Sequence, residues 1–188
     1  MNKEQILEVA AQIICQKGFH ATSMQDIAEA VNLQKASLYH HVASKQEILL
    51  SLLDQALELI IERVSQVAGT SAPADEKLSQ ACKIYLETLS EHRDLVSVLL
   101  LEHRSLEPEY HARHVPRRDR FERLWREMIR EGIEAGVFCS TCDAALAART
   151  LLGSLNWTIT WYRSDGSLSI EEIADSVSNQ FLNGLLCR

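Results

Sequence analysis

Apolar residues recur three and four positions apart along almost the whole chain, the spacing that lays a stripe on an α-helix rather than alternating across a strand. Ile6, Val9, Ala10, Ile13 and Ile14 form the first stripe; Leu49, Leu52, Leu53, Ala56, Leu57, Ile60, Val64 and Val67 form the longest. Only 7 glycines and 3 prolines interrupt 188 residues, too few turn formers for an all-β chain. The pattern predicts an all-α fold of about nine helices. A chain of 188 residues can bury a core without disulfide or metal staples, and 46% hydrophobic with 24% charged residues is the balance of a globular protein rather than a disordered one.

Local signals divide the helices. Gly18 stands where a left-handed residue closes a helix. Thr22 with Gln25 reads as a capping box opening a short second helix, with Ile27, Ala28 and Val31 inward. Asn32 can take the left-handed turn, and a third short segment spans 34–42, with Ala36, Leu38 and Val42 able to pack inward. Ser44 with Glu47 opens the long fourth helix, and Gly69 to Pro73 is the clearest break. Leu78, Ala81, Cys82, Tyr85, Leu86 and Leu89 trace the next helix, and 95–101 a shorter one. Residues 103–117 carry two prolines and several histidines and read as irregular. Phe121, Leu124, Trp125, Met128 and Ile129 restore the period as far as Gly136. Asp143 to Tyr162 is a long helix rich in small residues, and Ser169 with Glu172 caps the last.

No run of about 18 uncharged apolar residues exists to span a membrane, and the charged start does not resemble a signal region. A cytoplasmic chain is expected. Five cysteines (Cys15, Cys82, Cys139, Cys142 and Cys187), odd in number and scattered, fit a reducing compartment. The net charge of −7 does not advertise nucleic-acid binding, although a binding face needs only local positive potential.

The informative stretch is Thr22 to Lys45: short helix, turn around Val31-Asn32-Leu33, short helix, the helix-turn-helix pattern. Its second helix would expose Gln34, Lys35, Ser37, Tyr39, His40 and His41. By spacing alone, DNA binding and an ordinary helical hairpin with a solvated face both remain open. The residues themselves go further. The run TSMQDIAEAVNLQKASLYHHVASK resembles the signature of TetR-family transcriptional repressors, with Ile-Ala in the second helix, Leu-Tyr-His in the third and Ser-Lys opening the fourth. It departs from that signature at Asn32 for a turn glycine, at Gln34 for a small hydroxyl residue, and at Val42 for an aromatic. The resemblance implies a nine-helix fold, with a three-helix DNA-binding domain at 1–46 and a ligand-binding and dimerisation domain at 47–188. It also implies Gln34, Lys35 and Ser37 at base edges and Thr22, Tyr39, His40 and Lys45 on phosphates. Residues 1–48 are not basic, with Lys3, Lys17, Lys35 and Lys45 set against Glu4, Glu8, Asp26, Glu29 and Glu47, so each protomer should show a shallow salt dependence on double-stranded operator DNA.

Cations gather instead at Arg104, Arg113, Arg117, Arg118, Arg120, Arg123, Arg126 and Arg130, near His103, His111 and His114. They read either as a solvated helix face with i,i+4 pairs such as Asp119 with Arg123, or as a mouth for an anion, with Arg117 and Arg118 best placed. Tyr85, Leu89, Leu99, Phe121, Trp125, Met128, Asn156 and Trp157 lie on helices that would line a bundle cavity, and a buried Asn156 amide would need a partner. The stretch from Leu152 to Ser169 is similar to the C-terminal halves of TetR-type repressors that sense fatty-acyl-CoA and related thioesters. This implies an acyl chain in the apolar part and CoA phosphates near the arginines. The resemblance also implies a homodimer through the eighth and ninth helices, reading a palindrome and released by its effector.

Two other readings have sequence support. Cys139-Ser-Thr-Cys142, with His111 and His114 in His-x-x-His spacing, could serve a metal or thiol-redox sensor, although no second Cys-x-x-Cys occurs. A thioester-processing enzyme would need a nucleophile such as Cys139 or Cys142, but the chain has no Gly-x-Ser-x-Gly elbow, phosphate-cradling glycine loop or His-Glu-x-x-His. The expectation is a regulator without catalytic residues, resident metal or cofactor.

Overall fold

In the computed structural model, which describes residues 2–185, the stripes become nine α-helices and one short 3-10 turn, an all-α fold among the described residues. The helices are α1 (Lys3–Lys17), α2 (Met24–Ala30), α3 (Lys35–Leu38), α4 (Lys45–Ala68), α5 (Ala74–Glu91), α6 (Arg93–Glu102), α7 (Pro108–Glu134), α8 (Ala144–Trp161) and α9 (Ile170–Leu185), with the 3-10 turn at His103–Ser105. None is long and apolar enough to cross a membrane. Cys187 lies outside the described residues.

The chain forms two compact units, Met1–Glu58 with His92–Arg117, and Leu59–Glu91 with Arg118–Arg188. The first unit takes in residues 92–117, because α6 packs on α1.

In the first unit α1 packs on α6 and α2, and α2 on α3. Ile6, Ala10, Ile14, Phe19, Ile27, Leu38, Val42 and Leu49 are buried there. The second helix opens one residue later than the sequence suggested. Ser23 is its N-cap, accepting from the Asp26 N–H at 3.1 Å, while the Asp26 carboxylate accepts from the Ser23 N–H at 2.7 Å. Thr22 cannot cap because it is turned inward, 1% exposed, with its hydroxyl donating to the Gly18 carbonyl at 2.9 Å. Asn32 takes the left-handed conformation at φ 54°, as the turn demands.

Residues 103–117 are not irregular. The 3-10 turn gives way to α7, which starts with Pro108 at the first helical position, where no N–H is needed, and continues through Pro116. Pro116 forfeits one helical hydrogen bond. Contacts with the start of α4 offset that loss. Gln46 accepts from the Glu107 N–H at 3.1 Å, the Tyr110 and Ser44 hydroxyls meet at 3.2 Å, and Arg113 donates to Glu47 at 3.0 Å.

In the second unit α5 packs against α8 and α9, and α8 against α9. Leu78, Cys82, Tyr85, Leu86, Trp125, Ile129, Leu151, Leu155 and Ile173 form its interior. Gly132 is fixed by close approach, since a Cβ there would lie 2.3 Å from the buried Phe138 ring. Asp143 caps α8 by accepting from the Ala145 and Leu146 N–H groups at 2.8 and 3.1 Å. Ser169 and Glu172 make the expected reciprocal box before α9, at 2.8 and 3.1 Å.

The Ser23 hydroxyl and N–H, aided by the Lys17 ammonium at 3.2 Å, hold the Asp26 carboxyl down at about 2. Its folded value lies below its ordinary one, so this stabilisation is complete above the ordinary carboxylate range and is lost as pH falls through the folded value. Asp26→Asn should therefore lower the thermal midpoint at neutral pH, and the gap from wild type should shrink as the scans approach pH 2. A gap that stays constant across acid pH would contradict this assignment.

Candidate functional site

The polar edge of the helix-turn-helix rests on a very short α3. Gln34 is its N-cap but makes no side-chain capping bond, leaving the amide uncommitted. After Leu38 the chain continues in tight turns, with the His40 N–H bonded to the Ser37 carbonyl at 3.2 Å and the His41 N–H to the Leu38 carbonyl at 3.0 Å. Leu38 and Val42 point into the core, whereas Ala36, expected inward, is exposed. It lies on the outer side of a four-residue helix whose one buried residue is Leu38. Gln34, Lys35, Tyr39 and His40 are exposed and Ser37 is half-buried, so five of the seven residues expected at DNA reach the surface on or beside α3.

The other two stand behind it. Thr22 is buried and bonded to Gly18, so its hydroxyl does not reach the surface. Lys45, at the start of α4, donates to the Phe19 carbonyl at 2.9 Å and the Thr22 carbonyl at 2.7 Å, with its ammonium 4.3 Å from the Phe19 ring centroid. Two of its three donors are spent tying α4 to the loop before α2. The Ser-Lys pair that opens the fourth helix is thus a positioning device. Lys17 is likewise engaged, by Asp26.

The ligand-facing candidates are divided between the units. Leu99, buried, and Arg117 belong to the first, and Tyr85, Leu89, Arg118, Phe121, Trp125, Met128, Asn156 and Trp157 to the second. Within the second unit Tyr85, Phe121 and Trp125 form an aromatic cluster. Tyr85 and Phe121 stack at 6.1 Å, and Trp125 meets both edge-on at 5.9 and 6.2 Å. The Tyr85 hydroxyl donates to Asn156 Oδ1 at 2.5 Å, so the half-buried Asn156 amide has a partner. Burial drives the Tyr85 phenol well above its ordinary range, so it stays a donor. Leu89 and Met128 are buried. Trp157 is the exception at 66% exposed, one position past Asn156 and therefore turned about a quarter of the helix circumference away.

Neither arginine expected at an anion stands open. Arg117 forms ion pairs with Asp54 at 2.8 Å and Glu58 at 3.4 Å, both on α4. Arg118 is exposed and lies 3.4 Å from the neighbouring Asp119. Asp54 also accepts from His114 Nδ1 at 2.9 Å; His114 is buried while His111 is exposed, so the His-x-x-His spacing builds no shared site. Sequence reasoning missed this Asp54 centre, whose one signal was a pair of acids, Asp54 and Glu58, four apart on α4. Cys139 and Cys142 flank a turn closed by a Cys142 N–H to Cys139 carbonyl bond of 3.0 Å, and the Cys139 thiol lies 3.2 Å from the Thr141 hydroxyl. Burial, then Asp143 and Cys139, push the Cys142 thiol up. Among the described residues no group of three or more His, Cys, Asp or Glu side chains could hold a metal ion.

A short helix with an exposed polar edge, mounted on a turn and locked to the following helix, defines a DNA-binding helix-turn-helix regulator. Residues 6–52 match the bacterial regulatory proteins of the tetR family, and residues 71–185 match the tetracyclin repressor-like C-terminal domain. The chain belongs to the TetR family. The HTH-type transcriptional repressor KstR2 of Mycobacterium tuberculosis is 27% identical over 182 residues, 96% of this chain and 91% of KstR2. The TetR family regulator PfmR from Thermus thermophilus superposes with a TM-score of 0.87 at 37% identity, covering 97% of this chain and 99% of PfmR. AibR in complex with isovaleryl coenzyme A and operator DNA superposes with a TM-score of 0.88 at 29% identity, covering 96% of this chain and 97% of AibR. The family and these relatives are transcriptional regulators, not enzymes.

Lys45→Ala should lower stability to urea by about 1–2 kcal/mol, the worth of charged hydrogen bonds to two partly buried carbonyls. A direct role on phosphate would look different: an unchanged urea midpoint with weakened DNA binding would assign Lys45 to the duplex rather than to the fold.

Proposed function

We propose that this chain is a dimeric one-component repressor that binds a palindromic operator and is released by a small effector, a fatty-acyl-CoA or related thioester. The observation that carries the reading is the exposed edge of α3, where Gln34, Lys35 and Ser37 lead and Tyr39 and His40 follow. Amide, ammonium and hydroxyl groups near the start of a recognition helix suit base edges, and Tyr39 and His40 suit phosphate oxygens. Thr22 and Lys45 serve by holding that edge in place. In functional terms residues 1–46 read DNA, and 47–188 take the effector and the second protomer. A protein of this kind works in the cytoplasm, where its operator is.

Dimerisation is supported by α8. Leu146, Thr150, Gly153, Trp157 and Trp161 follow at i, i+4, i+7, i+11 and i+15 and are all exposed. Such an apolar stripe on a single chain marks a partner surface, and a two-fold pair would present two α3 segments to successive major grooves. The effector class is supported by the aromatic cluster with Leu89, Met128 and Asn156, and by the isovaleryl coenzyme A held by AibR. Of the two arginines expected at the CoA phosphates, Arg118 has only its chain neighbour to leave, while Arg117, like Leu99, supports the first unit instead. Effector binding acts by favouring a conformation with the wrong spacing of recognition segments.

The test is binding of DNA selected from a random pool, read by fluorescence anisotropy beside acyl-CoA titration. Tyr39→Ala should weaken operator binding at least about tenfold while leaving acyl-CoA affinity at the wild-type value. Parallel loss of both would contradict the functional division.

Trp157→Glu should convert the dimer to a monomer in sedimentation velocity, with helical circular dichroism preserved and operator binding lost. A dimer that survives this charge would remove α8 from the interface.

A further inference from the structure

Among the described residues, two polar side-chain atoms of the second unit are fully enclosed yet have no hydrogen-bond partner, Trp125 Nε1 and Thr158 Oγ1. Trp125 is the inner member of the aromatic cluster, edge-on to both Tyr85 and Phe121. The other polar atom of that trio is satisfied, since the Tyr85 hydroxyl donates to Asn156 Oδ1 at 2.5 Å. The indole N–H is therefore the unmet donor of the cluster. Thr158 makes the same point on α8. Thr150 and Ser154 return their hydroxyls to the carbonyls of Leu146 and Thr150 at 2.9 and 3.2 Å, whereas the Thr158 hydroxyl has no such bond.

An enclosed donor without a partner carries the full desolvation cost of the group, and a phenylalanine would fill an aromatic site without it. The indole N–H can only donate, so what completes it is an acceptor. Resting on the acyl-thioester reading, we infer that the effector's acyl group presents an oxygen to Trp125 Nε1 inside the aromatic cluster. The site thus selects an acyl group for its oxygen and not for its hydrocarbon alone. That oxygen is either the thioester carbonyl or an oxo or hydroxyl group further along the chain; both are acceptors of the same kind, and matched ligands separate them.

The experiment is calorimetric titration of the full-length protein with two ligand pairs of equal chain length. One pair is a 3-oxoacyl-CoA and its saturated acyl-CoA; the other is that acyl-CoA and its alkyl thioether, which lacks the carbonyl. In wild type, loss of the relevant oxygen should weaken binding about tenfold in one pair, and Trp125→Phe should bring that ratio close to one. Benzothienylalanine at position 125, which keeps the bicyclic shape and replaces N–H by sulfur, repeats the test should the phenylalanine variant not fold. Ratios near one in both wild-type pairs would mean that water completes the indole and would overturn the inference alone. A ratio that persists in both Trp125 variants would overturn it as well. Failure of every acyl-CoA to bind would instead bring down the thioester reading and this inference with it.

Discussion

The Asp54 carboxylate is the group around which the first unit is arranged. It accepts from His114 Nδ1 at 2.9 Å and pairs with the Arg117 guanidinium at 2.8 Å, and Glu58 one turn along pairs with the same guanidinium at 3.4 Å. Glu47, two turns earlier on the same helix, takes Arg113. Three acids on one face of α4 thus collect a histidine and two arginines from the first three turns of α7. The central pair is largely sheltered from water, where loss of one partner leaves an uncompensated polar group and costs far more than breaking an exposed ion pair. This is why a segment with two prolines is helical. Its order comes from α4, not from its own propensity.

The same pairing decides the electrostatics of the recognition edge. Lys17 is held by Asp26, Lys45 by two loop carbonyls, and Arg113 and Arg117 by α4. On α3 itself Lys35 is the one exposed lysine. In the proposed reading, affinity for DNA would rest mainly on hydrogen bonds by Gln34, Ser37, Tyr39 and His40, with a small counterion term. A chain with net charge −7 can read DNA on these terms because its cations are used to shape the reading head rather than to pull on the duplex.

What the sequence made legible was whatever depended on local chemistry. The stripes on α1, α4, α5, α8 and α9 lie where the periodicity put them, Asn32 takes positive φ, and the Ser169–Glu172 box closes as read. Two of the misreadings turn on polar contacts that apolar spacing does not reveal, one local and one long-range. Thr22 lost its capping role to Ser23 because the Gly18 carbonyl claims its hydroxyl. Arg117 looked free for an anion because Asp54 and Glu58 are some sixty positions away in the chain. Of the residues expected along a bundle cavity, Tyr85, Phe121, Trp125 and Asn156 meet in one cluster, while Trp157 is exposed.

The separation of Asn156 from Trp157 has a consequence for α8. Consecutive residues on a helix point about 100° apart, so the two cannot serve the same surface. Asn156 reaches Tyr85 in the aromatic cluster, and Trp157 stands on the exposed stripe with Leu146, Gly153 and Trp161. One helix therefore carries the polar anchor of the cluster on one side and the apolar stripe on the other. A ligand that competes for the Tyr85 hydroxyl, or draws on Trp125, alters what α8 packs against within its own unit. Because side chains in a close-packed interior cannot shift independently, the helix must answer as a body, and the stripe moves with it. In the proposed repressor, the link between an effector and the pairing of two chains would then need no relay beyond α8 itself.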